Sequence, residues 1–354
     1  MIYAARSLRG LTEDLCRGTR FDHKLYLQFE NYRMLLESNA ADLVENLRHY
    51  FEAFVVSSGE VNLTVTALET ATPEIDSHFE IKVPDPGKDK IKEEFLDLDD
   101  GRIVRKRLTG MVFMFAADVN LVAGPCCANA NQVVNFINNR FIAYKLDQGC
   151  LLGHAAAVAK GGRGLALAGF SGMGKSTLAL HLMSRGSDFI SNDRLLIEGE
   201  AGEKLFMHGI AKLPRINPGT ALGNPDLTMV MPLADRERFG LLESDELWQV
   251  EHKYDVYIDQ CFGRNRFQSK ASLEALVILN WERQGGALVV APADENRRRA
   301  LLPAFMKAAG LFYLGTAEVG LETYLRRLSS CRIYELRGGV DFVAATEFCL
   351  RLLE

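Results

Sequence analysis

Apolar residues in "KLYLQFENYRMLLES" (24–38) fall in two short runs on either side of Glu30-Asn31, which predicts a pair of strands. The next stretch changes period. Leu43, Val44, Leu47, Phe51 and Phe54 recur at helical spacing behind Ser38 and Asn39, both capping residue types. In "VNLTVTALE" (61–69) the alternation of Val61, Leu63, Val65 and Ala67 predicts a half-buried strand. "PDPGKDKIKEE" (84–94) reads as a charged loop, and "FLDLDDGRIVRKRL" as a hairpin about Asp100-Gly101. Apolar content rises from "MVFMFAADVNLVAG" (111–124). A helix follows over "NANQVVNFINNRFIAYKLDQG", with Val133, Val134, Ile137, Phe141 and Tyr144 on one face. Two strands come next, "LLGHAAAVAK" and "GLALAG", joined by a glycine-rich turn at 161–164.

This order predicts a small α+β module over 1–115 and an α/β domain over 116–354, within what 354 residues allow. The formal charge of -5 argues against nucleic-acid or membrane-surface binding through bulk charge. The first residues lack a secretory h-region, and no apolar run reaches the roughly 18 residues that span a bilayer. The seven cysteines are scattered without a CxxC pair, so they read as small core residues in a reducing cytoplasm. His23, His49 and His78 are isolated, and the first module shows no chemistry.

The chemistry lies in "LALAGFSGMGKSTLAL" (165–180). Gly169-Phe-Ser-Gly-Met-Gly174-Lys175-Ser176 satisfies G-x-x-x-x-G-K-[ST], with an apolar strand entering and a helix leaving. Glycines let the backbone curl so that N–H groups, with those of the helix start, face phosphate oxygens. Gly169, Ser171, Gly172, Met173, Gly174, Lys175, Ser176 and Thr177 are therefore the candidate nucleotide-binding residues. Lys175 is expected on the β- and γ-phosphates and the Ser176 hydroxyl on Mg²⁺. The guanine-reading Asn-Lys-x-Asp and a Leu-Ser-Gly-Gly-Gln-like transporter motif are both absent.

The restricted form G-x-S-G-x-G-K-[ST] resembles the loop of HPr kinase/phosphorylase and of the ATP-dependent phosphoenolpyruvate carboxykinases. "RGSDFISNDRLLI" (185–197) is similar to the family's Asp-Asp run, with Asp193 on the second Asp and Asn192 replacing the first. His154, fifteen residues before Gly169, stands where the family has a histidine close to its catalytic aspartate. "CFGRNRFQSKASLEALVILNW" (261–281) resembles the family's Phe-Gly turn and following strand. The insertion "AKLPRINPGTALGNPDL" (211–227) and the ending "GGVDFVAATEFCLRLL" (338–353) look like the HPr-kinase-related kinase B branch. One departure stands out: the family's metal-binding glutamate aligns with Phe206, and Glu203 and His208 are out of register.

The resemblance implies an α/β fold with a P-loop kinase core of this type behind an N-terminal α+β module, and a homo-oligomer. It implies ATP and Mg²⁺ as cofactors and transfer of the γ-phosphate to a hydroxyl, on a protein or peptide partner or a small metabolite. Asp193, His154 and Lys175 are the candidate catalytic residues. Asp193 reads as general base or, with Ser176, as Mg²⁺ ligand; His154 reads as its holder, as a contact to the γ-phosphate, or as a core histidine. Arg194, Arg264 and Arg266 are candidate charge stabilisers, the last two more simply a solvated turn. "ENRRRALL" (295–302) reads as the charged start of an exposed helix. Asn192 and Phe206 support a rival, a degenerate ATP-binding regulatory module. A small-molecule kinase is the second rival.

Overall fold

Tyr32–Ser38 alternates buried and half-buried residues along its length, and its neighbour His23–Phe29 buries Leu25, Leu27 and Phe29. The two pair antiparallel, as the two apolar runs predict. The computed structural model describes residues 2–4, 7–84, 89–315 and 319–354. It divides into two units, Met1–Tyr144 with Ala309–Thr316, and Lys145–Ala308 with Ala317–Glu354.

In the first unit the pair extends into a nine-stranded sheet. Leu63–Glu69 joins Tyr32–Ser38 in parallel, after a crossover through the helix Ala41–Tyr50. That helix starts two residues beyond Asn39, which instead exchanges hydrogen bonds with the Glu69 backbone. The hairpin about Asp100-Gly101 pairs Glu93–Leu98 with Gly101–Lys106. Asp100 also accepts from the Leu8 and Arg9 N–H groups at the start of the helix Leu8–Cys16. Some of the charged loop expected at 84–94 lies outside the described residues, and its end is already strand.

The division differs from the one composition suggests. Val112–Phe115 and Asn120–Gly124 complete the first sheet, so a cut at 115/116 would separate a strand from its paired neighbour. Nearly all of the helix Ala130–Asp147 belongs with them.

The second unit is a three-layer α/β arrangement. Arg163–Gly169 lies parallel to the long strand Lys270–Leu279, which lies parallel to Arg332–Gly338. Antiparallel strands flank this core, among them Ala155–Lys160 beside Arg163–Gly169. Both faces are apolar, as a sheet covered on both sides requires. On one face Val158, Leu165, Leu167 and Val277 pack on the helices Lys175–Ser184 and Phe342–Leu353. On the other, Ala166, Ala168, Leu276 and Ile278 meet Leu302, Phe305, Tyr324 and Leu328. Among the described residues no helix is long and apolar enough to cross a membrane.

"LLGHAAAVAK" forms two strands, not one. Leu151–Gly153 pairs with Leu195–Glu198, whereas Ala155–Lys160 pairs with Arg163–Gly169 and Asp188–Ser191. The break is His154, whose N–H donates to the Phe305 carbonyl at 2.6 Å instead of to a neighbouring strand.

Candidate functional site

Arg163–Gly169 delivers the chain to the carboxyl end of the parallel core, where open α/β sheets bind ligands. There it turns through Gly169, Gly172 and Gly174, with φ of 148°, 85° and 86°. At Gly169 a Cβ would sit 2.8 Å from the Leu279 carbonyl, and at Gly174 it would sit 2.7 Å from the Phe342 ring. Glycine is needed at both for conformation and for space. Gly174 is also the N-cap of Lys175–Ser184, so no side chain caps that helix. Its first-turn N–H groups therefore have no side-chain acceptor at the cap, the arrangement that receives an anion.

The Lys175 ammonium donates to the Gly169 and Phe170 carbonyls at 2.7 and 3.1 Å, using two of its three N–H groups on the loop itself. Burial pulls its pKa down to about 8, opposed by the attraction of Asp193 and helped by the repulsion of Lys307. The Thr177 hydroxyl shares a 2.7 Å hydrogen bond with Thr220.

Asp193 sits in the turn between Asp188–Ser191 and Leu195–Glu198. His154 Nδ1 lies 3.2 Å from its carboxylate and 3.0 Å from its carbonyl oxygen. Both partners only accept, so Nδ1 carries the proton. Burial would raise the Asp193 carboxyl, but the His154 hydrogen bond and the charges of Lys307, Lys212 and His154 outweigh it. They hold the group well below the usual carboxylate range. The broken strand thus has a consequence: the residue that interrupts the ladder is the one that holds the aspartate.

A cavity of about 880 Å³ opens over the loop and takes in Ser171, Lys175, Ser176, Thr177, His154 and Asp193. Its volume falls in the small-molecule range. The candidate residues Gly172, Gly174 and Asn192 line it too, whereas Gly169 and Met173 do not; Gly169 packs on Leu279, and the Met173 carbonyl accepts from Trp281.

Much of the remaining lining comes from 212–253, of which the sequence singles out only 211–227, as an insertion. Short helices there bury Ala221 and Leu227 against the same apolar cluster as the loop helix. Asn224 joins the two, donating to Ser184 Oγ at 3.0 Å and accepting from the Asp226 N–H. Asn217-Pro218 and Asn224-Pro225 put asparagine at the N-cap and proline at the first helical position, a signal readable in the sequence. This wall carries Lys212 and Arg215. Burial lowers the Lys212 pKa, Asp193 opposes that, and Arg194, Arg215 and Lys307 add to it. Asn192 and Asn217 also line the cavity, and their side-chain oxygens are buried without a protein hydrogen-bond partner.

Other candidates lie elsewhere. His208 is fully buried between Glu198 (2.7 Å) and Lys145 (3.2 Å), Glu203 is exposed, and neither lines the cavity. Arg266 bonds Asp188 at 2.7 Å and the Phe262 carbonyl at 3.3 Å, so it fastens its own turn. Arg264 is exposed and Arg194 lies 3.9 Å from Asp193. "ENRRRALL" forms the helix Glu295–Leu301, with Asp294 as its cap and Arg297 paired to Glu335. No group of three His, Cys, Asp or Glu among the described residues is placed to hold a metal.

The chain matches no protein-family model and no curated protein. Among solved structures it is similar to the Hpr(Ser) kinase/phosphatase from Coxiella burnetii, with a TM-score of 0.30 and 9% identity. That match covers 56% of this chain and 88% of that one.

Proposed function

We propose that this protein is an ATP-dependent phosphotransferase that delivers the γ-phosphoryl group to a hydroxyl. The observation that carries the reading is the convergence on one cavity of the uncapped loop helix, Lys175, and an aspartate held by His154. Loop N–H groups and Lys175 bind and orient the polyphosphate, and Lys212 adds positive charge beside Asp193.

The donor set fits a Mg²⁺ that arrives with the nucleotide, because such an ion takes one or two carboxylates plus phosphate oxygens. Asp193 and the Ser176 hydroxyl would hold it, and it would neutralise charge on the phosphates. The cations around Asp193 keep it ionised and weakly basic while the site is free of phosphate. The two roles are alternatives: where Asp193 does not ligate the ion, polyphosphate offsets that field and the carboxylate accepts the proton of the acceptor hydroxyl. The acceptor is a small metabolite or the serine of a protein partner.

Asn192 in place of a second acid, and one carboxylate where a metal cluster would need more, favour a second reading: a nucleotide-binding regulatory module without transfer. One experiment separates them. MgATP should raise the melting temperature of the wild type, and Lys175→Ala should lose most of that shift. Label from γ-labelled ATP should then pass to a species in native lysate. A shift without any transfer supports the module. An unchanged shift in Lys175→Ala removes both readings.

A further inference from the structure

Trp248 is 44% exposed, and what it exposes borders the cavity over the loop. It stands on the short helix Ser244–Gln249, in the wall formed by 212–253. Arg283, beyond the end of the long strand, places its guanidinium 4.9 Å from the Trp248 ring centroid. Two contacts keep it there: an ion pair with Asp245 at 2.6 Å and a hydrogen bond to the Ser244 carbonyl at 3.4 Å. The ring is thus fixed by a planar cation tied to its own helix, although a large apolar ring left facing an open space gains nothing from burial.

The helix is also tied to the loop. A Cβ at Gly219 would lie 3.6 Å from Leu247, the neighbour of Trp248. The next residue, Thr220, bonds Thr177 in the first turn of the loop helix. One continuous cavity therefore has a phosphate-type cradle at the loop and a fixed aromatic–guanidinium pair on its wall.

We propose that Trp248, with Arg283, is the platform on which the base of the nucleotide stacks. The inference rests on the nucleotide reading above and assigns the half of the ligand that the loop does not touch. A base offers a π-face to an indole or guanidinium plane, and both residues of the stacked pair line the cavity. Gln249 and Glu251 border the same stretch and supply polar groups for the edge of the base.

The test compares two probes on the full-length protein, MgATP and magnesium tripolyphosphate, which has the phosphates and no base. Trp248→Ala should weaken ATP binding by on the order of ten- to a hundredfold. Tripolyphosphate binding should stay as in wild type, and Trp248→Phe should recover most of the ATP affinity. Trp281 remains as the fluorescent reporter in both variants. Unchanged ATP affinity in Trp248→Ala overturns the platform while the loop reading stands. Equal loss of both probes means that the substitution disturbs the wall itself, and also overturns it. A wild type that binds neither probe removes the nucleotide site and the platform with it.

Discussion

The indole N–H of Trp281 donates to the main-chain carbonyl of Met173 at 2.9 Å, from just past the long strand into the crown of the glycine loop. Trp281 is 2% exposed, and its ring meets Phe342 edge-on at 5.1 Å, the same Phe342 that closes over Gly174. The loop is therefore shaped from outside as well as by its glycines.

Trp281→Phe keeps most of the ring and removes the N–H. The Met173 carbonyl then loses its donor, which costs about 1–3 kcal/mol if it stays dry. Denaturant unfolding should show that loss, and the MgATP-induced rise in melting temperature should shrink. An equal rise in mutant and wild type would show that the bond does not matter to the loop.

Gly174→Ala imposes a left-handed conformation on an L-residue and drives its methyl into Phe342. The strain is worth about 1–3 kcal/mol. In a Phe342→Ala background the clash is gone and only the backbone strain remains, so Gly174→Ala should still lower the unfolding stability of Phe342→Ala, by less than it lowers wild type. No loss in that background would mean that the positive φ is not required.

Lys175 provides a pH signature. Its pKa of about 8 in the free protein leaves about half of it neutral at pH 8. Bound polyphosphate favours the charged form and raises that pKa, so binding at pH 8 should take up about half a proton, and almost none at pH 6. Lys175→Arg is charged at both values and should lose this uptake. Calorimetry in two buffers of different ionisation enthalpy measures it. The same uptake in the arginine variant would assign the proton to another group.

Asp193→Asn keeps the shape of the side chain and removes its charge and basicity. Transfer should fall by on the order of a hundredfold or more, while ATP binding largely survives on the loop and Lys175. The measurement is single-turnover transfer beside an ATP titration. A fully active variant would move the chemistry to another acid. Because the folded-state pKa of Asp193 is depressed, its contribution to stability is present above the unfolded carboxylate value and is lost as pH falls below it. The asparagine variant should therefore lose less stability than wild type on acidification.

Local patterns made the strand pair at 24–38, the helix behind Asn39, the hairpin at Asp100-Gly101 and the glycine loop legible in the sequence. Each is settled within a few residues, by alternation, by helical spacing, or by a backbone angle only glycine adopts freely. The contact of His154 with Asp193 was legible only through the family resemblance; the residues alone did not give it, because it depends on a strand that breaks to hydrogen-bond Phe305. The split between the units was misplaced for a related reason. Val112–Phe115 and Asn120–Gly124 look like the start of a more apolar domain, yet strand pairing gives them to the first sheet. Lys212, Arg215 and Trp248 carry no local signal at all. A lysine, an arginine or a tryptophan in a polar stretch reads as surface, and only the packing of 212–253 over the loop helix brings these side chains to the cavity. Side chains far apart in sequence meet through tertiary packing, which spacing along the chain does not encode. The sequence thus determined the glycine loop and the start of its helix, and the tertiary structure decided which side chains surround them.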